Sequence, residues 1–547
     1  MVQRRHSEKT EDFALAQTKY RHLQSYVEEV SASMGEPEWH IELDRAMRNM
    51  DNPNILYPVG DPIFIHVYKD QETGTTHYAV IEPRLDEKEE QLMEEVMDRM
   101  IEHAHKYDVP QKIEDAGDII KKIFEEVVRV ADKPPSAIEA ALESKITLTQ
   151  QQRDEVWYYV YRNRVGYGKL EPLFYDPYLE DIHCTGVGTV KTIHKVFEMV
   201  HTNVEFRNDI ELDKYILDSS ERVERPVSDA NSVVDAIMPD GSRVNFIYGR
   251  ELSLEGSSFT IRKFSEVPIS IIQIIKWGTM SAELAAYLWL AIENGMNLFV
   301  CGETASGKTT TLNAASTFIK PEDKVYSVEN TPEVTMPHKT WQHLVTRESG
   351  KDTDVTIFDL LIAALRSRPN YIIVGEIRGE EGNVAFQAMQ TGHPVMSTFH
   401  AGSPHSMIQR LTGHPINVPI ASIDNLNIVL IQQAVSHKGK RVRRVLSVTE
   451  IERYYDVENK VITREVFNWD AVNDEHRFRG LFNSYILEKK IASALGYEDT
   501  RDIYDELERR KRILEKMIEE DIEDYFDVWD TIATFEKRGE ASLPFVI

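Results

Sequence analysis

Gly302-Glu303-Thr304-Ala305-Ser306-Gly307-Lys308-Thr309 has the GxxxxGK[ST] spacing of a phosphate-cradling loop, and its flanks decide the fold. Ahead of it runs an apolar strand pattern, Leu298-Phe299-Val300-Cys301, and behind it a helix-like run opens at Thr310-Thr311-Leu312. Strand, glycine-rich turn and helix in that order gather backbone N–H groups around a phosphate, because glycine permits close approach and a helix N-terminus is positive. On this reading the nucleotide-binding residues are Gly302, Glu303, Thr304, Ala305, Ser306, Gly307, Lys308, Thr309 and Thr310. Lys308 reaches the β and γ oxygens, and the Thr309 hydroxyl ligates Mg²⁺.

Downstream, strand and helix patterns alternate in the manner of an α/β parallel sheet. Such sheets bind ligands outside the carboxyl ends of their strands, so acids just past a strand pattern are the catalytic candidates. The strand Val325-Tyr326-Ser327-Val328 is followed by Glu329 and Glu333, either of which could face a γ-phosphate. Tyr371-Ile372-Ile373-Val374 runs into Gly375-Glu376-Ile377-Arg378, after a helix pattern through Phe358, Leu361, Ile362 and Leu365 that Pro369 terminates. An apolar strand followed by an acid is the Walker B arrangement. Glu376 would act on Mg²⁺ through water or on the attacking water itself, and general-base help of this kind is worth roughly 10²–10⁴ in rate. The next strand-like segment, Thr391 to His400, is flanked by His393 and His400. An imidazole at a strand tip can hydrogen-bond a γ-phosphate. A zinc reading is disfavoured, since no Cys or acidic partner stands at ligand spacing from these histidines, His405 or His414.

The chain has 547 residues, room for roughly three or four domains of about 100–200 residues each. With 41% hydrophobic and 28% charged residues it has the composition of a globular protein. The longest apolar stretch, Leu284 to Ile292, stops at Glu293, short of the ~20 residues of a membrane-spanning helix. The first residues lack the apolar core of a secretory signal, so a cytoplasmic location is expected. A net charge of -28 opposes broad attraction to nucleic acid or anionic lipid, which leaves membrane contact to a protein partner. Cys184 and Cys301 are too few for a disulfide framework and lie in strand-like contexts, as buried thiols do.

Residues 1–55 read as a polar, partly helical arm with Phe13, Ala16, Tyr20 and Leu23 on one stripe. Residues 56–145 read as a first α+β domain, with a hairpin (Ile63 to Tyr68, His77 to Ile81) and an acidic helix whose stripe is Leu92, Met93, Val96, Met97, Met100 and Ile101. A second α+β unit, 146–264, ends in Phe259-Thr260-Ile261-Arg262-Lys263-Phe264, and Ser265 to Ser270 looks like a hinge. The α/β unit spans 265–480. Residues 481–547 are helical and charged, with Ile513, Leu514, Met517 and Ile518 opposing the charged face.

Four of these segments, in order, resemble the Walker A, Asp, Walker B and His boxes of type II/IV secretion ATPases. They are Gly302 to Thr309, Val328-Glu329-Asn330-Thr331-Pro332-Glu333, Arg366 to Arg378, and Thr391 to His400. Gly166-Tyr167-Gly168-Lys169-Leu170-Glu171-Pro172-Leu173 and Met238-Pro239-Asp240-Gly241-Ser242-Arg243-Val244 look like that family's second amino-terminal domain. Tyr78-Ala79-Val80-Ile81-Glu82-Pro83 and the charged carboxyl terminus are similar to its archaeal branch, most of all to the archaellum (archaeal flagellum) motor ATPase. The fold this implies is α/β, a RecA-like P-loop NTPase domain preceded by α+β amino-terminal domains, the second PAS-like, and followed by a helical carboxyl-terminal cap.

The resemblance implies a homohexameric ring that hydrolyses ATP with Mg²⁺, its nucleotide lying between amino-terminal and RecA-like domains. Carried over by position, Glu333 is the favoured Asp-box acid, Glu376 the Walker B acid, and His393 and His400 the His-box residues. Arg243 and Arg262 match amino-domain arginines that approach the phosphates, and Arg378 and Arg410 match basic positions near the nucleotide. Asn330 stands where the Asp box commonly has aspartate, and a tetracysteine zinc element is missing. The expected role is powering archaellum assembly and rotation from the inner face of the cell membrane, through a polytopic membrane platform protein and cytoplasmic accessory proteins. The alternative is type IV pilus assembly or type II secretion, and the acids and arginines argue against a nucleotide-gated scaffold that binds but barely hydrolyses. A nucleic-acid translocase is disfavoured by the acidic charge and the lack of a basic, aromatic-interleaved stripe.

Overall fold

The computed structural model describes residues 12–44, 47–48, 50–108, 113–131, 145–264, 267–347 and 354–547. Internal contacts divide the chain into two units, Met1–Ser265 and Glu266–Ile547. The expected hinge begins at Ser265 and Glu266, which lie outside the described residues.

Twelve described strands belong to the first unit: β1 (Glu38–Trp39), β2 (Asn54–Gly60), β3 (Ile63–Lys69), β4 (Thr76–Ile81), β5 (Val128–Val130), β6 (Ile146–Leu148), β7 (Leu179–Cys184), β8 (Gly188–His194), β9 (Glu198–Phe206), β10 (Val233–Ile237), β11 (Arg243–Ile247) and β12 (Ser258–Arg262). All but β5 and β6 form one sheet in the order β1-β2-β3-β4-β9-β8-β7-β12-β11-β10. The expected hairpin is β3–β4, antiparallel with Phe64 opposite Ile81. Parallel pairing of β4 with β9, His77 opposite His201, carries the sheet from the first stretch of chain into the second.

The amino-terminal stripe breaks at Tyr20, whose backbone is extended between the helices Phe13–Lys19 and Arg21–Met34. Ala16, Leu23 and Val27 then pack on Leu56, Phe64 and Ile81, so the described part of the arm is docked on its sheet. On the acidic helix Glu87–Ala104, a capping box from Asp86 and Glu89 fixes the start, and Val96 and Met100 are buried. Ile101, expected in that stripe, is 64% exposed. At 3.6 residues per turn it falls on the flank of the apolar face.

The second unit holds β13 (Leu298–Cys301), β14 (Val325–Glu329), β15 (Trp341–Val345), β16 (Tyr371–Glu376), β17 (Val395–Phe399), β18 (Ile428–His437), β19 (Lys440–Tyr455), β20 (Lys460–Asp470) and β21 (Glu475–Phe478). Their order is β15-β14-β16-β17-β13-β18-β19-β20-β21. The pairings from β15 through β13 to β18 are parallel, and those beyond β18 antiparallel. The apolar stretch ahead of Glu293 is the helix Ala282–Glu293, buried on all sides beneath this sheet's core. Leu507, Ile513, Leu514 and Met517 of the helix Ile503–Glu519 enter the same core, where Arg510 pairs with Glu293 at 2.7 Å. Among the described residues no helix is long and apolar enough to cross a membrane. Cys184 and Cys301 are buried free thiols, and burial pushes the Cys184 thiol up to about 11.

Candidate nucleotide site

Central strand β13 delivers the phosphate loop to the carboxyl end of the sheet, where Gly302 N donates to Phe399 O of β17 at 3.1 Å. The loop turns tightly: Ala305 has φ 60° and Gly307 φ 90°. A Cβ on Gly302 would lie 2.1 Å from Gln432 O, so only glycine fits there. Gly307 opens the helix Lys308–Ser316 without a side-chain cap. The first amides of a helix have no intrahelical acceptor, and such an end suits an anion. Lys308 is buried and turns back, its Nζ donating to Glu303 O at 2.9 Å, while Ser306 Oγ donates to the same carbonyl at 2.8 Å. Burial lowers the Lys308 ammonium's pKa, opposed by the nearby charges of Glu376 and Glu333.

Glu376 ends β16 where its pairing with β17 shifts register, Val374 facing Ser397 and Glu376 facing Thr398. A bulge re-aims the side chain that follows it. Arg378 Nη2 donates to Glu376 Oε2 at 2.5 Å. His400 Nε2 lies 2.9 Å from Glu376 Oε1, yet that buried oxygen makes no hydrogen bond among the described residues, so the approach is close but not aligned. Burial lowers the His400 pKa, and Lys308, Arg378 and Arg410 add to the effect against Glu376.

Glu329 and Glu333 differ in kind. Glu329 is buried; its Oε1 accepts from Glu333 N and Val334 N, both at 3.0 Å, and its Oε2 meets His343 Nε2 at 2.8 Å. One oxygen braces the Asp-box turn, and the other ties Glu329 to His343 on β15. Glu333 is partly exposed and close enough to influence the charges of Lys308 and Arg378.

Arg410 donates to His400 O and stacks its guanidinium 5.2 Å from the Phe399 ring, beside a cavity of about 350 Å³ that Gly302, Thr304, His400 and Ser406 also line. His393 is not brought to the site. It precedes β17 and meets Thr391 Oγ1 at 3.1 Å, at the opposite end of the strand from His400, a separation on the order of 20 Å for extended chain. Arg243 and Arg262 belong to the first unit, directly opposite one another on β11 and β12, with Arg262 Nε donating to Asp181 Oδ1 at 3.1 Å.

The family model for type II/IV secretion system protein matches residues 166–525. The chain belongs to that family. A protein of Methanocaldococcus jannaschii, uncharacterized protein MJ0900, is 51% identical to this family member over 534 residues, 96% of this chain and 97% of that protein. The probable conjugal transfer protein TrbB of Sinorhizobium fredii is 31% identical over 223 residues, 38% of this chain and 65% of that one. Among solved structures, the Legionella pneumophila ATPase DotB aligns at 17% identity with a TM-score of 0.39, over 68% of this chain and 91% of that chain.

Several residues of this type II/IV secretion family member escape the motif reading. Gln432 on β18 donates from Nε2 to Ser306 O at 2.8 Å and accepts from Thr311 Oγ1 at 2.7 Å, clamping the loop and its helix together. Its signal in the sequence is an amide interrupting the apolar run Ile428-Val429-Leu430-Ile431. Asn313, one turn into the loop's helix, donates to Glu333 O at 2.8 Å. The glycine-walled cradle, the uncapped helix end and the unbonded Glu376 Oε1 fit a nucleotide phosphate with Mg²⁺, an ion that takes few protein ligands and keeps its waters and phosphate oxygens.

Proposed function

We propose that this chain hydrolyses ATP with Mg²⁺ and works as a ring motor for pilus-type assembly or secretion. The observation that carries the reading is Glu376, held between Arg378 and His400 within electrostatic reach of the buried Lys308. The loop amides and Lys308 bind the substrate's phosphates. Thr309, with Glu376 through water, would hold Mg²⁺, which would neutralise charge on the transferring phosphoryl group. Glu376 orients the attacking water, assisted by Glu333, while Glu329 keeps the Asp-box turn in place. Neutral His400 lies where it can exchange its contact with Glu376 for one to the γ-phosphate, and Arg378 and Arg410 supply positive charge at the rim.

Hexamer formation, docking on a membrane platform protein from the cytoplasmic side, and completion of each site by Arg243 and Arg262 are parts of the same proposal. The family description and the similarity to a conjugal transfer protein favour pilus-type assembly or secretion over the archaellum role. Lys308→Ala should abolish nucleotide binding, and Glu376→Gln should bind a fluorescent ATP analogue normally yet lose about 10²-fold or more in turnover. Full turnover in Glu376→Gln would remove the reading. Mixing Arg262→Ala with Lys308→Ala protein should restore part of the activity if the arginine acts across subunits, and no rescue at any ratio would exclude that.

A further inference from the structure

The corner between the helices Ile503–Glu519 and Tyr525–Arg538 touches the nucleotide site from behind. Tyr525 is 1% exposed, and its hydroxyl donates to Thr335 O at 3.0 Å, with Asn313 O and Ser316 Oγ each 3.4 Å away. Thr335 lies two residues past Glu333, and the side chain of Asn313 spans the same short segment, donating to Glu333 O and facing Thr335 N at 3.4 Å. The Asp-box turn is therefore pinned at Glu333 N by Glu329, at Glu333 O by Asn313 and at Thr335 O by Tyr525.

The other side of the corner faces the start of the second unit. Glu523 O accepts from Ser270 Oγ at 2.6 Å, and Lys276 pairs with Asp521 at 3.2 Å and with Glu523. Ser270 caps the helix Ile271–Lys276, the first described helix after the segment that joins the two units. Five consecutive residues thus grip both that helix and the turn carrying Glu333.

We propose that Tyr525 is a positioning residue for Glu333, and that the corner it anchors ties the placement of this acid to the helix Ile271–Lys276. The proposal rests on the ATPase reading above. A buried hydroxyl on a carbonyl fixes where that carbonyl lies, and moving the turn by a fraction of an ångström moves Glu333 relative to Lys308. The phosphate loop has its own clamp in Gln432, so nucleotide binding should change little when the hydroxyl is removed.

Tyr525→Phe keeps the ring and removes only the hydroxyl. Steady-state ATP hydrolysis by the full chain should show kcat lowered about tenfold at a KM within twofold of wild type, the scale of one lost buried hydrogen bond felt in the transition state. In a Glu333→Gln background the same change should produce no further loss, because its effect passes through that carboxylate. A kcat within twofold of wild type, or an equal loss with and without Glu333, overturns the proposal. Lys276→Ala, a surface change that empties no core, repeats the test from the other side of the corner: kcat lowered about threefold at unchanged KM supports it, and unchanged kcat overturns it. Absence of hydrolysis in the wild type would instead count against the ATPase reading itself.

Discussion

A Cβ on Gly375 would sit 2.9 Å from Glu329 Cγ. The strand that carries Glu376 and the acid that braces the Asp-box turn are in van der Waals contact, so the two acidic boxes share one wall. Gly375→Ala should push Glu329 off its bonds to Glu333 N and Val334 N. Overpacking of this kind costs about 1–3 kcal/mol. Turnover should fall about tenfold or more, with a modest drop in melting temperature by circular dichroism. Wild-type turnover in this variant would show that the two boxes move independently.

Gln432 holds the loop from the far side. Gln432→Leu keeps the bulk but leaves Ser306 O and Thr311 Oγ1 without their present partner, a loss of about 1–3 kcal/mol for buried polar groups. Expressed in the loop's nucleotide-ready shape, this should weaken binding of a fluorescent ATP analogue by about tenfold or more in an equilibrium titration. Affinity equal to wild type would mean that the loop orders without the clamp.

What was legible in the sequence is what local pattern controls. The phosphate loop, the strands around Val325 and Tyr371, the hairpin and the carboxyl-terminal helices are written in runs of under twenty residues, where periodicity and glycine placement suffice. The clamp was not legible, because Gln432 meets Ser306 across 126 positions and Tyr525 meets Asn313 across 212. The division of labour between Glu329 and Glu333 was also hidden, since it depends on which carboxylate the turn amides face. His393 shows the converse limit: a motif includes it beside His400, but strand geometry carries the two to opposite ends of β17. The docking of the arm needed the sheet to exist first.

The pH dependence of turnover should carry the signature of His400. Its folded pKa lies below the ordinary 6.5, owing first to burial and then to Lys308, Arg378 and Arg410, so the imidazole is neutral at pH 7. Activity that uses the neutral ring is present above that folded value and is lost as pH falls through it. Arg410→Ala removes one of the depressing charges and should move the acid limb of the kcat profile to higher pH. An acid limb at the same pH in both proteins would assign it to another group.

Two histidines of the first unit should govern its acid stability. His66 and His194 are fully or nearly fully buried, and burial brings each down to about 4 from 6.5. His194 Nδ1 accepts from Val196 N at 3.0 Å and Phe197 N at 3.2 Å, so the ring is held neutral with Nδ1 unprotonated. The unfolded chain binds protons at these rings below about 6.5, whereas the folded chain resists them until about 4. Stability is therefore complete above pH 6.5 and falls as pH drops toward 4, by on the order of 3 kcal/mol per ring. Urea unfolding followed by circular dichroism at pH 7.5 and 4.5 should show a lower midpoint at the acid value. His194→Gln, an uncharged replacement, should flatten that pH dependence; a slope identical to wild type would show that His194 titrates normally in the folded protein.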